Sequence, residues 1–133
     1  LIERALLDTQ VLVQAYLGEY LPKRVLDLLA SPETERLMSV TSVMEIAVKT
    51  AKGKLSMPEA DVRQATLDLR LTIIPFTAQH AYRLFSLPRH HRDPFDRMLI
   101  ATALVEEVPL IGSNGMFKRY RGLKVIWSAP TAG

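Results

Sequence analysis

Apolar positions fall in short runs separated by longer stretches of helical spacing, a pattern that predicts strands alternating with helices. Residues 4–8 (RALLD) read as a strand, followed by a helix from Thr9 to about Tyr20. Pro22 opens a second helix carrying Val25, Leu26, Leu28 and Leu29, which stops at Ser31-Pro32. Residues 37–40 form a short strand, 42–52 a helix ended by Gly53, and 58–69 a further helix. Leu71–Ile74 is apolar and partly β-branched, hence a strand, and Thr77 caps a helix running to Phe85. The helix expected at 94–107 is apolar almost all round (Met98, Leu99, Ile100, Ala101, Ala103, Leu104) and should lie deep in the protein. Residues 109–111 and 124–127 supply the last strands. Strands separated by helices imply βαβ units. The expected fold is therefore a three-layer α/β/α domain spanning residues 1–133, with a central, mainly parallel sheet of about five strands.

Composition narrows the chemistry. The chain has no Cys, which removes disulfides, thiolate zinc sites, iron–sulfur clusters and cysteine nucleophiles. No apolar stretch approaches the roughly 18–20 residues of a membrane span, and LIERALLDT at the start is too charged for a signal peptide. A cytoplasmic protein is expected, with a few residues missing before Leu1. The net charge of +3 is unevenly spread: Lys118, Arg119, Arg121 and Lys124 lie in a C-terminal segment without acids, which suits a phosphate-facing surface or a solvated basic end.

Parallel α/β sheets place ligands outside the carboxyl ends of their strands. Asp8 ends the first strand, Glu45 begins the helix after the second, Asp93 and Asp96 flank the start of the apolar helix, and Ser113 and Asn114 follow the fourth strand. Each acid has a structural reading: Ser42-x-x-Glu45 is a capping box, and Asp93-Pro94-x-Asp96 offers an N-cap, Pro at N1 and an acid at N3. Asp8 is harder to explain, because a carboxylate ending a buried strand is costly without a cation, and the nearest base in sequence is Arg4. Capping does not account for acids from separate connections sharing one rim. Several carboxylates with water completing the shell suit Mg²⁺ or Mn²⁺, and such an ion can activate water and screen a phosphodiester.

Other sites lack their parts. There is no glycine-rich nucleotide loop and no H-E-x-x-H, and His80, His90 and His91 lack zinc spacing. His91, beside the acids, could touch a substrate phosphate but reads better as a surface or outer-sphere residue. Ser39, Ser42 and Ser113 have no His partner at a sensible site.

LLDTQVLVQA at 6–15, SVTSVMEIAVK at 39–49, LPRHHRDPFDRMLIATAL at 87–104 and PLIGSNGMFKRYRGLKVIW at 109–127 together resemble the PIN domain, most closely the VapC-type toxins of bacterial toxin–antitoxin pairs. The resemblance implies a Mg²⁺- or Mn²⁺-dependent endoribonuclease acting on single-stranded or loop RNA, a homodimer, and a small antitoxin as inhibitor. By motif, Asp8, Glu45 and Asp96 match the family's metal-binding acids, and Asp93 an additional acid of this subgroup. The family's fourth Asp is Asn114 here, which can lend an oxygen but no charge, and its usual His after LLDT is Gln10. Arg92, Arg97, Lys118 and Arg119 are candidates for RNA phosphates, with Arg97 also a candidate partner for a site acid. The alternative is a catalytically weakened or inactive PIN-fold module that binds a partner or RNA. For that partner, the leucine-rich helix at 22–30 beside the helix at 42–52 could offer an apolar groove, although most of these leucines read as ordinary core.

Overall fold

A computed structural model describes residues 2–90 and 92–128, so His91 lies outside the described residues. Strands β1 (Arg4–Leu7), β2 (Glu35–Ser39), β3 (Leu71–Ile74), β4 (Leu110–Ile111) and β5 (Val125–Ile126) form one sheet in the order β3-β2-β1-β4-β5. Every pairing is parallel. The helices are α1 (Thr9–Leu17), α2 (Lys23–Ala30), α3 (Val40–Ala51), α4 (Glu59–Asp68), α5 (Ala78–Arg83) and α6 (Pro94–Glu106), with short 3₁₀ turns at Leu84–Ser86 and Gly115–Arg119. The expected architecture holds.

Strand alternation divides the core into layers. Leu6, Leu37 and Leu110 pack with Leu99, Ile100 and Ala103 of α6 and with Phe117 and Tyr120. On the other face Ala5, Leu7 and Ile111 meet Val11 of α1 and Val25 of α2. Met38 joins Leu12, Ile46 of α3 and Val62 of α4 in a third cluster. Residues 5–7 of β1 are buried, as expected for a central parallel strand covered on both sides.

Element ends moved where local chemistry decided them. α1 stops at Leu17 because Gly18 adopts φ 70°, closing the turn three residues earlier than the hydrophobic pattern implies. α3 begins earlier than the expected Ser42: Ser39 is its N-cap and accepts from the Thr41 amide at 3.0 Å. The Ser42–Glu45 capping box is therefore absent, and Ser42 is buried against Thr9, with hydroxyl oxygens 2.8 Å apart. Thr77 does cap α5, and His80 Nδ1 accepts from the Thr77 amide in return.

Val25, Leu28 and Leu29 of α2 pack onto the sheet as ordinary core, while Leu26 is exposed. An apolar cavity of about 960 Å³ lies between α3 and α4, lined by side chains that include Val43, Met44, Ala47, Val62, Leu67 and Ile73. Arg36 of β2 is buried, an unexpected place for a cation. Its guanidinium donates to the carbonyls of Leu28, Ser31, Thr34 and Leu69, tying the ends of α2 and α4 to the sheet.

Candidate metal centre

β1 is the central strand, and the chain crosses from one side of it to the other between β3 and β4. Ligands in such sheets bind beyond the carboxyl ends of the strands at the reversal, here β1 and β4, and Asp8 directly follows β1. The Asp8 amide continues the ladder by donating to Ile111 O at 2.9 Å, so the sheet itself sets the start of the Asp8 side chain. Asp8 occupies the N-cap position of α1 without a side-chain capping bond. The segment after β4 passes very close. A Cβ built on Gly112 would lie 2.9 Å from Phe117 Cε2, 3.0 Å from Asp8 Cβ and 3.3 Å from Asp8 Oδ2. Only glycine allows this approach.

Two helices bring the other acids. α6 starts as its sequence suggests: Asp93 Oδ1 accepts from the amides of Phe95 at 2.8 Å and Asp96 at 3.3 Å, and Pro94 occupies N1. Asp96 follows in the first turn. Glu45 lies one turn inside α3, not at its cap, and is 3% exposed. One carboxylate oxygen each from Glu45, Asp93 and Asp96 lie within 4.8 Å of one another. Asp8 is outside that tight triple yet close enough that Asp96 and Glu45 both act on its charge.

The crowding shows in the protonation equilibria. Burial first, then the charges of Asp96 and Glu45, push Asp8 up to about 7, against the opposing pull of the Thr9 amide and Lys49. Asp96 is likewise raised to about 7 by burial and by Asp93 and Glu45, with Lys49 opposing. The cation inside this group is Lys49, whose Nζ donates to Glu45 Oε2 at 2.6 Å. That bond, with lesser attraction from Asp93 and Asp96, raises the Lys49 pKa against the effect of its own burial.

Lys49 was not among the expected site residues, although its i+4 spacing from Glu45 is legible in the sequence. Gly112 was also missed, and no spacing rule would have revealed it. Arg4, the nearest base in sequence to Asp8, does not reach it. Four residues of extended strand separate their backbones by about 13 Å, and Arg4 pairs at the opposite end of β1 with Glu35 and Glu106, at 3.3 and 4.0 Å.

The remaining candidates separate. Arg97 does not turn toward the acids as expected. Its guanidinium donates to Pro88 O at 2.8 Å, and at 3.4–3.5 Å to Leu87 O and Leu84 O, pinning the 84–88 segment to α6. Asn114 follows β4 on the same edge, and its Oδ1 accepts from the Met116 amide at 2.9 Å, capping the second 3₁₀ turn. Arg92, Lys118 and Arg119 are exposed.

The donor set fits a hard dication. Glu45 Oε1 is buried without a hydrogen-bond partner among the described residues, an expensive state for a carboxylate oxygen. One lysine faces four carboxylates, and a second positive charge would relieve both the repulsion and the orphaned oxygen.

A sequence-family model, that of the PIN domain, matches residues 5–123. Similar solved structures include VapBC2 from Rickettsia felis bound to a DNA fragment from their promoter, with TM-score 0.72 and 21% identity over 93% of this chain and 98% of that one. DNA-bound VapBC from Salmonella typhimurium gives TM-score 0.69 at 17% identity, covering 94% and 98% of the two chains. VapBC-1 from nontypeable Haemophilus influenzae gives 0.67 at 20% identity, covering 92% and 96%. At these identities the likeness is one of fold. A comparison with curated proteins found no match.

Proposed function

The chain belongs to the PIN domain family, whose members are generally nucleases, and we propose that this one is a Mg²⁺- or Mn²⁺-dependent endoribonuclease serving as the toxin of a toxin–antitoxin pair. The observation that supports it best is the meeting of Glu45, Asp93 and Asp96 within 4.8 Å, near enough to the buried Asp8 to act on its charge and with Glu45 Oε1 unpartnered among the described residues. Asp8, Glu45, Asp93 and Asp96 are the proposed metal-binding acids, with Asn114 able to add a neutral oxygen from the same edge. A dication bound there would screen the carboxylates, lower the pKa of a bound water and neutralise charge building on a phosphodiester oxygen.

The chain's own groups have distinct tasks in this reading. Lys49 engages Glu45 Oε2 and so leaves Oε1 for the site. Asp93 spends Oδ1 on the start of α6, which fixes its rotamer and leaves Oδ2 free of that duty. Gly112 lets the β4 edge close over Asp8 without displacing it. In this reading Glu45 and Asp93 bind the ion through water, position the attacking water or hold a second ion. Arg92, Lys118 and Arg119 are exposed cations available for RNA phosphates.

The partner proposals follow from the same reading. Neighbours of similar fold include VapBC proteins and a toxin–antitoxin complex from Klebsiella pneumoniae. The apolar α3–α4 cavity suits an amphipathic antitoxin helix, and a cytoplasmic homodimer is the assembly we propose. The competing reading is a module that binds a partner or RNA but has lost cleavage. It is favoured by Asn114, which contributes no charge and already commits Oδ1 to the Met116 amide.

Incubation of the pure protein with RNA decides between them. The nuclease reading expects cuts that require Mg²⁺ or Mn²⁺, stop with EDTA, and vanish in folded Asp8→Asn and Asp96→Asn variants. Wild-type rates in either variant would remove these acids from the mechanism. No cuts by folded wild-type protein with either cation would favour the binding module.

A further inference from the structure

The segment leading to Asp93 has an unusual surface. From Leu69 to Arg92 the sequence contains no acid, while Arg83, Arg89 and Arg92 lie in its second half. Two large aromatic side chains project from the same stretch: Tyr82 is 72% exposed and Phe85 90% exposed. They stand three residues apart across the end of α5 and the following 3₁₀ turn, which places them on one face.

Two contacts define where this surface leads. His80 Nε2 meets Glu106 Oε2 at 3.0 Å near the C-terminus of α6, whereas Leu84, Leu87 and Pro88 are bonded by Arg97 near its N-terminus. α5 therefore runs antiparallel to α6. The chain passes Tyr82, Phe85 and Arg89 in turn on its way toward Arg92 and the acids of the candidate metal centre. The turn bearing Phe85 is anchored by one guanidinium to three carbonyls, so the ring is presented on a fixed base.

The geometry points to a base-stacking subsite for single-stranded RNA, in which Tyr82 and Phe85 receive bases and the exposed Arg89 and Arg92 follow the phosphates toward the acids, while Arg83 is held by Ser86. This inference rests on the nuclease reading above and specifies how that site would hold its substrate. Exposed aromatic faces interleaved with cations, without neighbouring acids in the segment, match what an unpaired strand offers: π-faces and one negative charge per nucleotide.

The test separates binding from cleavage. Affinity for a labelled single-stranded oligoribonucleotide is measured by fluorescence anisotropy in EDTA, for wild type and for Phe85→Ala, Tyr82→Ala and Phe85→Tyr. An abasic strand of equal length and an RNA duplex serve as probes that cannot stack. Each alanine variant should bind the single strand roughly 5- to 100-fold more weakly, bind the abasic strand as wild type does, and melt at the wild-type temperature. Phe85→Tyr should retain binding. Equal affinity of wild type for the base-bearing, abasic and duplex probes would overturn the subsite. So would unchanged single-strand binding by both alanine variants, or their loss of a wild-type dimer in sedimentation. Mn²⁺-dependent cleavage by wild type, measured in parallel, tests the nuclease reading on its own: the subsite can fail while cleavage stands, and the reverse.

Discussion

Replacing Asp8 by Asn should make the metal-free protein more stable at alkaline pH while abolishing its proposed activity. The Asp8 carboxyl is 5% exposed and its pKa is raised from 3.8 to about 7. At about 1.4 kcal/mol per unit, holding it ionised in the folded protein costs about 4 kcal/mol once the pH is well above 7. Between 3.8 and about 7 the folded state binds a proton that the unfolded state has released. The stabilising contribution of protonated Asp8 is thus complete below 3.8, declines across that window and is gone above it. Asn removes the charge but brings an NH₂ group that needs partners, at a cost of about 1–3 kcal/mol. The net gain at pH 8.5 is therefore about 1–3 kcal/mol, or roughly 3–15 °C in melting temperature for a chain of this size. At pH 4.5 the gain should disappear or reverse. Thermal melts of both proteins in EDTA across this range measure the difference, and subtraction cancels the groups that do not interact with Asp8, leaving Asp8 and its coupling to Asp96, Glu45 and Lys49. A difference independent of pH, or an Asn variant less stable at pH 8.5, would refute the claim that Asp8 is a crowded, buried charge awaiting a cation.

Further outcomes follow from the same geometry. Because protons hold Asp8 and Asp96 until about pH 7, Mn²⁺ affinity by titration calorimetry should rise between pH 5.5 and 7, by up to about tenfold per unit for each proton displaced; a flat profile would contradict it. Lys49→Met removes the cation that lowers both pKa values, so the acid limb of the cleavage pH profile should move to higher pH, whereas a purely structural lysine would leave it in place. Gly112→Ala drives a methyl group against Phe117 and Asp8 and should cost about 1–3 kcal/mol by denaturant unfolding, with weakened Mn²⁺ binding by calorimetry. Asn114→Asp keeps a side-chain oxygen for the Met116 amide and adds a charge on the acid edge; it should tighten Mn²⁺ and raise cleavage, and an unchanged dissociation constant would place residue 114 outside the site.

Much of the fold was legible because its signals are local. The buried strand at 4–7, the apolar helix beginning at Asp93-Pro94, and the alternation of strand and helix depend on hydrophobic period and capping chemistry within a few residues. Parallel order then places Asp8, Glu45, Asp93, Asp96 and Asn114 on one edge, because each follows the carboxyl end of a strand or opens a helix there. What sequence alone could not settle was direction and distance. Ser39 rather than Ser42 caps α3, which moved Glu45 from a helix end to a buried position paired with Lys49. Arg97, adjacent to Asp96 in the chain, points away from the acids because carbonyls of the 84–88 segment lie within its reach. The closeness of Gly112 to Asp8 arises from the pairing of β1 with β4, residues separated by about a hundred positions. Residue types and their periodicity thus determined which acids share a rim. Only packing, by setting how closely they approach and how little water reaches them, decided that Asp8 and Asp96 titrate near neutrality.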